Sequence, residues 1–398
     1  MADEMALADK PHRIGARRER LEHLDMVRGL AALAVCLGHA RAMVFVDYAQ
    51  DPHRHFWKLP LYLLTSSGGQ AVMMFFALSG FLVGGPALRR IHQHRWDFPD
   101  YAVHRLTRLW TALIPALVAT ALLDWVGHDV LHLAGYSGEY FEMIAGGPRP
   151  GKAIDFGPIA FLGNVAFQMG VFVPSFGSNG ALWSLAYEFA YYFAIPFAWF
   201  ACRSRSRFGW RIAAGAIAIA VPLIYPRPVT GLGTIWVAGA MVYLIKDHVA
   251  ALSRARFRTF ATVAMLTFTA SYPLTYFGNV GNAVFGIACA ATLPFLAACA
   301  NPGGIYGRAS FWLSEISFTL YVVHFPLLLL LWLALLAPHQ FPVEQGFAIW
   351  AALVSVVITY AVAMWWLFER NTARVRAWTL RLLEPWLKSP ARHFRNEA

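Results

Sequence analysis

Charge is what this 398-residue sequence has least of: only 14% of its residues are Asp, Glu, Lys or Arg, where soluble domains average about 25%. With 58% hydrophobic residues, that scarcity excludes a soluble globular protein and reads as a membrane protein. Acidic residues are the scarcer sign, 22 against 33 basic, for a formal charge of +11. Cysteine is scarce too. Cys36, Cys202, Cys289 and Cys299 show no C-x-x-C spacing, which argues against a disulfide frame or a thiolate metal site. Three of them sit in apolar runs and read as small core residues. No internal repeat and no separate soluble domain is visible.

What the sequence has in abundance is apolar length. Ten stretches, 24–46, 66–85, 106–127, 181–200, 211–225, 231–246, 260–277, 282–300, 312–336 and 346–368, approach the length needed to cross a hydrocarbon core of roughly 30 Å. They predict an all-α polytopic membrane protein with about ten transmembrane helices. A cleavable leader ending near Ala40-Arg41-Ala42 is disfavoured, because the segment before it is long and basic. With the N-terminus inside, 26 of the 33 Lys and Arg fall on cytoplasmic segments and six on the outer side, as the positive-inside rule requires. Both termini are then cytoplasmic, and the basic excess needs no nucleic-acid partner. The chain divides into a basic N-terminal segment (1–23), a membrane domain (24–368) with an outer loop over 128–180, and a basic tail (369–398). In the tail Trp378, Leu380, Leu383, Trp386 and Leu387 alternate with arginines, as in an interfacial amphipathic helix. Residues 157–173 are apolar enough for an eleventh span, but inserting them would put the arginine-rich 202–211 loop and the tail outside. They are read as a re-entrant or interfacial piece of the outer loop.

Against this background a few ionisable residues stand out, since each costs roughly 2.5–3.5 kcal/mol near the centre of a membrane helix. Arg28 and His39 lie eleven residues apart, which puts them on one helix face roughly 16.5 Å apart along the axis. Ser184, Tyr187, Glu188 and Tyr191 form an i, i+3, i+4, i+7 stripe, and Ser317, Tyr321 and His324 form another. Counted from the cytoplasmic ends of their spans, His39 lies roughly 22 Å in and Glu188 and His324 about 18 Å in, so the three are expected in one layer. Arg28, Arg105 and Arg108 form a second layer at the cytoplasmic mouth. The bland alternative, polar groups that merely join helices, accounts for the serines and tyrosines and poorly for a buried glutamate. A basic vestibule leading to buried His and Glu suits a long anionic donor whose phosphates rest on arginines while its reactive end reaches inward. Histidine is the usual base for activating a hydroxyl near neutral pH, and Glu188 is expected to orient an imidazole or stabilise its protonated form.

The stretches LDMVRGLAALAVCLGH, GGQAVMMFFALSGFL, HRLTRLW, LWSLAYE, ISFTLYVVHFP and LFER occur in the order seen in acyltransferase family 3, and from about residue 22 to 375 the chain resembles these integral-membrane enzymes. The resemblance implies transfer of an acyl group, commonly acetyl from acetyl-CoA, to a hydroxyl of a glycan. Surface polysaccharides or their lipid-linked precursors are typical acceptors, and macrolides or other small molecules serve some relatives. It carries the family's arginine and histidine onto Arg28 and His39, its arginine pair onto Arg105 and Arg108, and its tryptophan-serine-to-glutamate motif onto Trp183, Ser184 and Glu188. It implies acyl-CoA as co-substrate with no permanently bound cofactor, a carbohydrate or glycolipid acceptor, surrounding membrane lipid, and a bacterial-type inner membrane. Met26, Thr111 and Asn371 depart from the family pattern in flanking backbone, which bears on substrate choice more than on chemistry. On this reading His39 deprotonates the acceptor hydroxyl, unless it carries the acyl group itself, and Glu188 and His324 orient it or relay protons. Arg28, Arg105 and Arg108 receive the CoA phosphates. Ser79, Trp183, Ser184, Tyr187 and Tyr321 support the pocket. Two rivals remain: a proton-coupled transporter using the same groups as a relay, and a structural subunit of an envelope complex.

The remaining signals take plainer readings. His128 and His132 beside Asp129 are an outer-loop surface pair, not a metal site, and His92 and His94 are solvated. Ser79 lacks the G-x-S-x-G strand-turn-helix context of a nucleophile and fits a small-residue helix contact. Glu315 and Glu369 pair with arginines or mark the interface.

Overall fold

A computed structural model describes residues 21–387 apart from 52–53, 145, 153, 204–205 and 226–228. Most of the basic N-terminal segment and the last part of the tail, and so their expected charge pattern, lie outside the described residues. Those described form helices and loops with no strand. In chain order they are α1 (Glu22–Val44), α2 (Leu59–Thr65), α3 (Gly68–Ser79), α4 (Gly85–His92), α5 (Phe98–Trp125), α6 (Pro158–Val165), α7 (Trp183–Arg203), α8 (Phe208–Ile224), α9 (Val229–Leu244), α10 (Lys246–Ala250), α11 (Arg254–Ser271), α12 (Gly278–Ala298), α13 (Gly304–Leu335), α14 (Val343–Leu367) and α15 (Thr372–Leu387).

Each of the ten apolar stretches coincides with helix. Among the described residues six helical segments are long and apolar enough to cross a membrane: Glu22–Val44, Phe56–His92, Phe98–Val130, Arg254–Ala298, Gly304–Leu335 and Val343–Pro385. The 254–298 segment is two helices, α11 and α12, joined by a 3-10 turn over Tyr272–Phe277 and packed on each other. By length, α7 is also adequate at 21 residues, but Glu188 and its tyrosines make it more polar. The shorter apolar helices lie at Phe208–Val221 and Gly231–Leu244. The protein is thus an all-helical integral membrane protein.

Packing follows the small residues. α1 lies along α13, and a side-chain carbon at Gly29 would sit 2.4 Å from Leu313 Cβ, so only glycine permits that approach. α3 passes into α4 through a π-helical turn at Gly80–Gly84. A Cβ on Gly80 would fall 2.0 Å from the Trp236 carbonyl oxygen, so the helix contact expected around Ser79-Gly80 is real and its partner is α9. Wide turns of this kind tend to occur at functional sites, and this one begins immediately after Ser79.

The 128–180 loop is pinned to helices α5 and α13. Buried Asp124, at the end of α5, accepts hydrogen bonds from Ser178 N (2.6 Å) and Ser178 Oγ (2.7 Å). Asn179 Nδ2 donates to the Val322 carbonyl of α13 at 2.9 Å. Inside the loop, Asn164 Nδ2 donates to Ala160 O (2.8 Å) and Pro174 O (2.9 Å), and its Oδ1 accepts from Phe176 N (3.1 Å). The helix within 157–173 is α6, eight residues long. At 1.5 Å per residue that is about 12 Å, too short to cross. The tail helix α15 docks on α5 through Thr111 Oγ1 and Thr372 Oγ1 (2.8 Å) and Arg376 to Asp100 (3.4 Å). Trp378 on α15 stays 63% exposed.

Candidate active site

Between α1, α3, α5, α7 and α13 lies a cavity of about 160 Å³. Arg28, Arg105, Arg108, Ser79, Ser184, Glu188, Tyr192, Ser317 and Tyr321 line it together with apolar side chains. The three arginines come from two helices. Arg105 and Arg108 are a turn apart on α5, and Arg28 is in the second turn of α1.

Each guanidinium is held. Arg28 donates to Asp25 Oδ1 at 3.2 Å and bonds to Ser314 Oγ, which itself donates to Asp25 Oδ1 at 3.0 Å. Arg108 Nη1 pairs with Glu369 Oε1 and stands 5.7 Å from the centre of the Phe318 ring. Arg105 lies 5.8 Å from the Tyr101 ring, in cation–π range. Glu369 thus pairs with an arginine, and that arginine belongs to the cavity.

Glu188 is fixed by two hydroxyl donors, Ser79 Oγ at 2.8 Å and Tyr192 OH at 2.6 Å. Ser79 in turn accepts from Trp236 Nε1 at 3.2 Å. Beyond them Ser184 Oγ and Tyr321 OH are 2.7 Å apart, and Tyr321 OH donates to Ala181 O at 2.9 Å.

The histidines sit one step further along α13. The rings of His39 and His324 have centroids 5.3 Å apart, and Phe325 meets His39 edge-on at 5.0 Å. His324 is fully buried. Its Nδ1–H points at the Leu320 and Tyr321 carbonyls, 3.0 and 2.9 Å away, which leaves Nε2 with its lone pair and no hydrogen-bond partner. From the 128–180 loop Gly146 closes over the pair: a Cβ there would lie 3.7 Å from His39 Cε1. Its φ of +94° belongs to the left-handed region that favours glycine.

A model of the acyltransferase domain matches residues 21–367, most of the chain. The chain belongs to acyltransferase family 3. It is also 28% identical over 170 residues to an O-acetyl transferase of Shigella phage Sf6. That alignment spans 42% of this chain and 43% of the relative, so the chain matches less than half the relative's length. No solved structure matches.

In this family 3 chain the single layer expected from helix depth resolves into two groups. Glu188 belongs with the arginines, bonded to Ser79 and Tyr192, whereas His39 packs on His324 and Phe325. The imidazole beside His39 is another histidine, and the donors on Glu188 are hydroxyls. Arg28, Arg105, Arg108, Ser79, Ser184 and Tyr321 share the cavity wall with Glu188. Trp183 and Tyr187 do not line it: their rings pack on each other at 6.0 Å, and Tyr187 also meets Tyr225 at 6.2 Å. Ser79, read as a packing residue, is a hydrogen-bond donor to Glu188 as well. Tyr191, read onto the Glu188 stripe, turns instead to Phe76 and Trp236, at 5.9 and 6.4 Å. Its neighbour Tyr192, at i+4 from Glu188, is the tyrosine whose spacing and rotation reach the carboxylate. Asp25 and Ser314, which hold Arg28, gave no signal stronger than helix register. Among the described residues no cluster of His, Cys, Asp and Glu suits a metal ion. His128 Nδ1 lies 3.0 Å from its neighbour Asp129.

Proposed function

We propose that this family 3 protein moves an acyl group, acetyl from acetyl-CoA, onto a hydroxyl of a carbohydrate, a surface polysaccharide or its lipid-linked precursor. It does so from an inner membrane that it crosses about ten times with both termini in the cytoplasm. The observation that carries the reading is one largely apolar cavity whose polar side chains include three tethered arginines, Glu188 and Tyr321, the last of them one turn before His324, which itself lies outside the lining. A donor with phosphates at one end and a thioester at the other matches that order of groups. Arg28, Arg105 and Arg108 take the phosphates, where guanidinium forks are well suited. Glu188, Ser79 and Tyr192 form the wall beside the pantetheine arm.

Chemistry then belongs to the histidine end. His39 takes the proton of the acceptor hydroxyl as the oxygen attacks the thioester carbonyl. Collapse of the tetrahedral adduct breaks the C–S bond, and the departing CoA thiolate receives the proton from His39. His324, with Nδ1–H committed to backbone, offers Nε2 as a hydrogen-bond acceptor that orients the hydroxyl or His39 itself. Serving as base, His39 supplies a typical general-base contribution of roughly 10²–10⁴-fold.

Mass spectrometry of ester-linked acyl groups on envelope glycans, with and without the gene, tests the acceptor class. Loss of an acyl ester from one glycan on deletion, restored by the wild-type gene and not by His39→Ala, is the expected result. An unchanged glycan profile, with no CoA released from acetyl-CoA by purified protein and acceptor extract, would refute the reading and favour a transporter or a structural subunit.

A further inference from the structure

The cavity arginines differ in how they are tethered, and one tether involves a residue to which no role in the reaction has been given. Glu369 lies just past α14, in the short 3-10 turn Glu369–Asn371 before α15. Its side chain is fully buried, while that of Arg108 is 35% exposed. A carboxylate in such a place is costly unless it is hydrogen-bonded and a cation stands opposite. Both conditions are met. Oε2 accepts from Thr319 N at 3.1 Å and from Thr319 Oγ1, and Oε1 pairs with Arg108 Nη1. Phe318, the residue before Thr319, lies against the same guanidinium. Arg108 is therefore gripped at one edge by a carboxylate that is itself pinned to α13, and on one face by a ring from α13. A guanidinium carries five N–H donors, so fixing Nη1 leaves others for the cavity that Arg108 lines. A long flexible side chain gives up rotamer freedom on meeting a ligand, and a tether that removes that freedom beforehand raises affinity.

We infer that Glu369 is a positioning residue for the acyl donor: it holds Arg108 with its free edge turned to the donor's phosphates. This rests on the proposed function, which places those phosphates on the arginines. The arrangement could also work in the opposite sense, with Glu369 competing for Arg108 as a stand-in anion. Burial favours the positioning role. A carboxylate fixed by Thr319 and closed off from solvent cannot swing away to let a phosphate take its place, whereas Arg108 has donors to spare.

The test is equilibrium dialysis of radiolabelled acetyl-CoA against the purified full-length chain in detergent, read as Kd and, separately, as binding capacity. Glu369→Gln keeps an acceptor for Thr319 and removes the charge opposite Arg108. Its expected result is a Kd weaker by about tenfold, the lower end of what loss of an orienting partner brings in other sites, with capacity unchanged. A merely structural role lowers capacity and leaves the Kd of the surviving molecules alone. In an Arg108→Gln background, Glu369→Gln is expected to change Kd by less than twofold, because the carboxylate acts only through that arginine. Arg108→Gln alone strands a buried charge. The single Glu369→Gln and the double variant strand none, and they carry the test if Arg108→Gln does not fold. An unchanged or tighter Kd for Glu369→Gln, beside a wild type that binds acetyl-CoA, overturns the inference and leaves the proposed function standing. A wild type that binds no acetyl-CoA overturns both.

Discussion

The arginine end and the histidine end of this site are built by opposite means. At the arginine end, formal charges are held by other formal charges and by ring faces: Asp25 and Ser314 on Arg28, Glu369 and Phe318 on Arg108, Tyr101 on Arg105. At the histidine end, the partners of His324 are backbone carbonyls and aromatic rings. Charge held in advance at fixed points favours a charged ligand in its ground state. An imidazole such as that of His324, with Nδ1 committed to backbone carbonyls and Nε2 without a partner, is poised to meet a proton that is in play only as a bond breaks. The difference is between affinity and reactivity, and each substitution below should move one without the other.

The largest effect belongs to His39→Ala. CoA release with acceptor should fall about 10²–10⁴-fold, while the Kd for acetyl-CoA stays within threefold. A parallel loss of donor affinity would erase the division of labour. Next comes Arg105→Ala. Its tether is a tyrosine ring, so removal breaks no direct ion pair. A hydrogen bond to a charged group is worth about 1.5–3 kcal/mol, so the KM for acetyl-CoA should rise about ten- to a hundredfold with kcat nearly unchanged. Should kcat fall instead, the arginine end takes part in the chemical step.

How far the sequence alone reached follows the same division. A membrane demands long apolar helices, so their approximate positions were legible, as was the absence of strands. Separation along a single helix was legible as well, because rise per residue is constant. Rotation about each helix axis was not. Counting depth placed His39, His324 and Glu188 in one layer, but only the packing of α1 against α13 brings His39 onto His324, and only the turn of α7 gives Glu188 to Tyr192 and leaves Tyr191 to Trp236. The π-helical turn at Gly80–Gly84 adds a rotation that no heptad or 3.6-residue count anticipates. The outer loop was least legible. Asp124 on α5 and Asn164 and Asn179 in the loop, the buried residues that pin it, have no period and look like ordinary polarity until their partners are known: Ser178 for Asp124, Pro174 and Phe176 for Asn164, and Val322 for Asn179.

Ser79→Ala sits lower on the scale. Glu188 keeps Tyr192 as a donor but loses Ser79, and Trp236 Nε1 loses its acceptor. A lost hydrogen bond at such a site costs about 1–2 kcal/mol. Thermal unfolding in detergent should show that decrease, while kcat per folded molecule stays within a few-fold. A collapse of kcat at unchanged stability would mean that the Ser79–Glu188 bond serves the reaction directly and not the donor wall.

The smallest effect marks the boundary of the comparison, where an ion pair is no longer enclosed. Asp247, in the loop helix α10, is 58% exposed and bonds to Arg89 Nη2 at 2.5 Å and Lys246 Nζ at 2.7 Å. The hydrogen bonds from Lys246 and Arg89 lower its pKa below the ordinary carboxylate value. The sign follows from linkage: a group depressed in the folded state contributes stability above its unfolded pKa and loses it as pH falls through the folded value. Solvent screens such pairs, so Asp247→Asn should cost about 0.5 kcal/mol near pH 7. The difference from wild type should shrink as pH falls through the lowered folded-state pKa. Thermal melts of the two proteins across pH 3–7, at low and high salt, measure it. A cost of several kcal/mol that high salt does not reduce would show that this pair is as sheltered as Arg108–Glu369, and that the held charge of the arginine end extends into the loops beyond it.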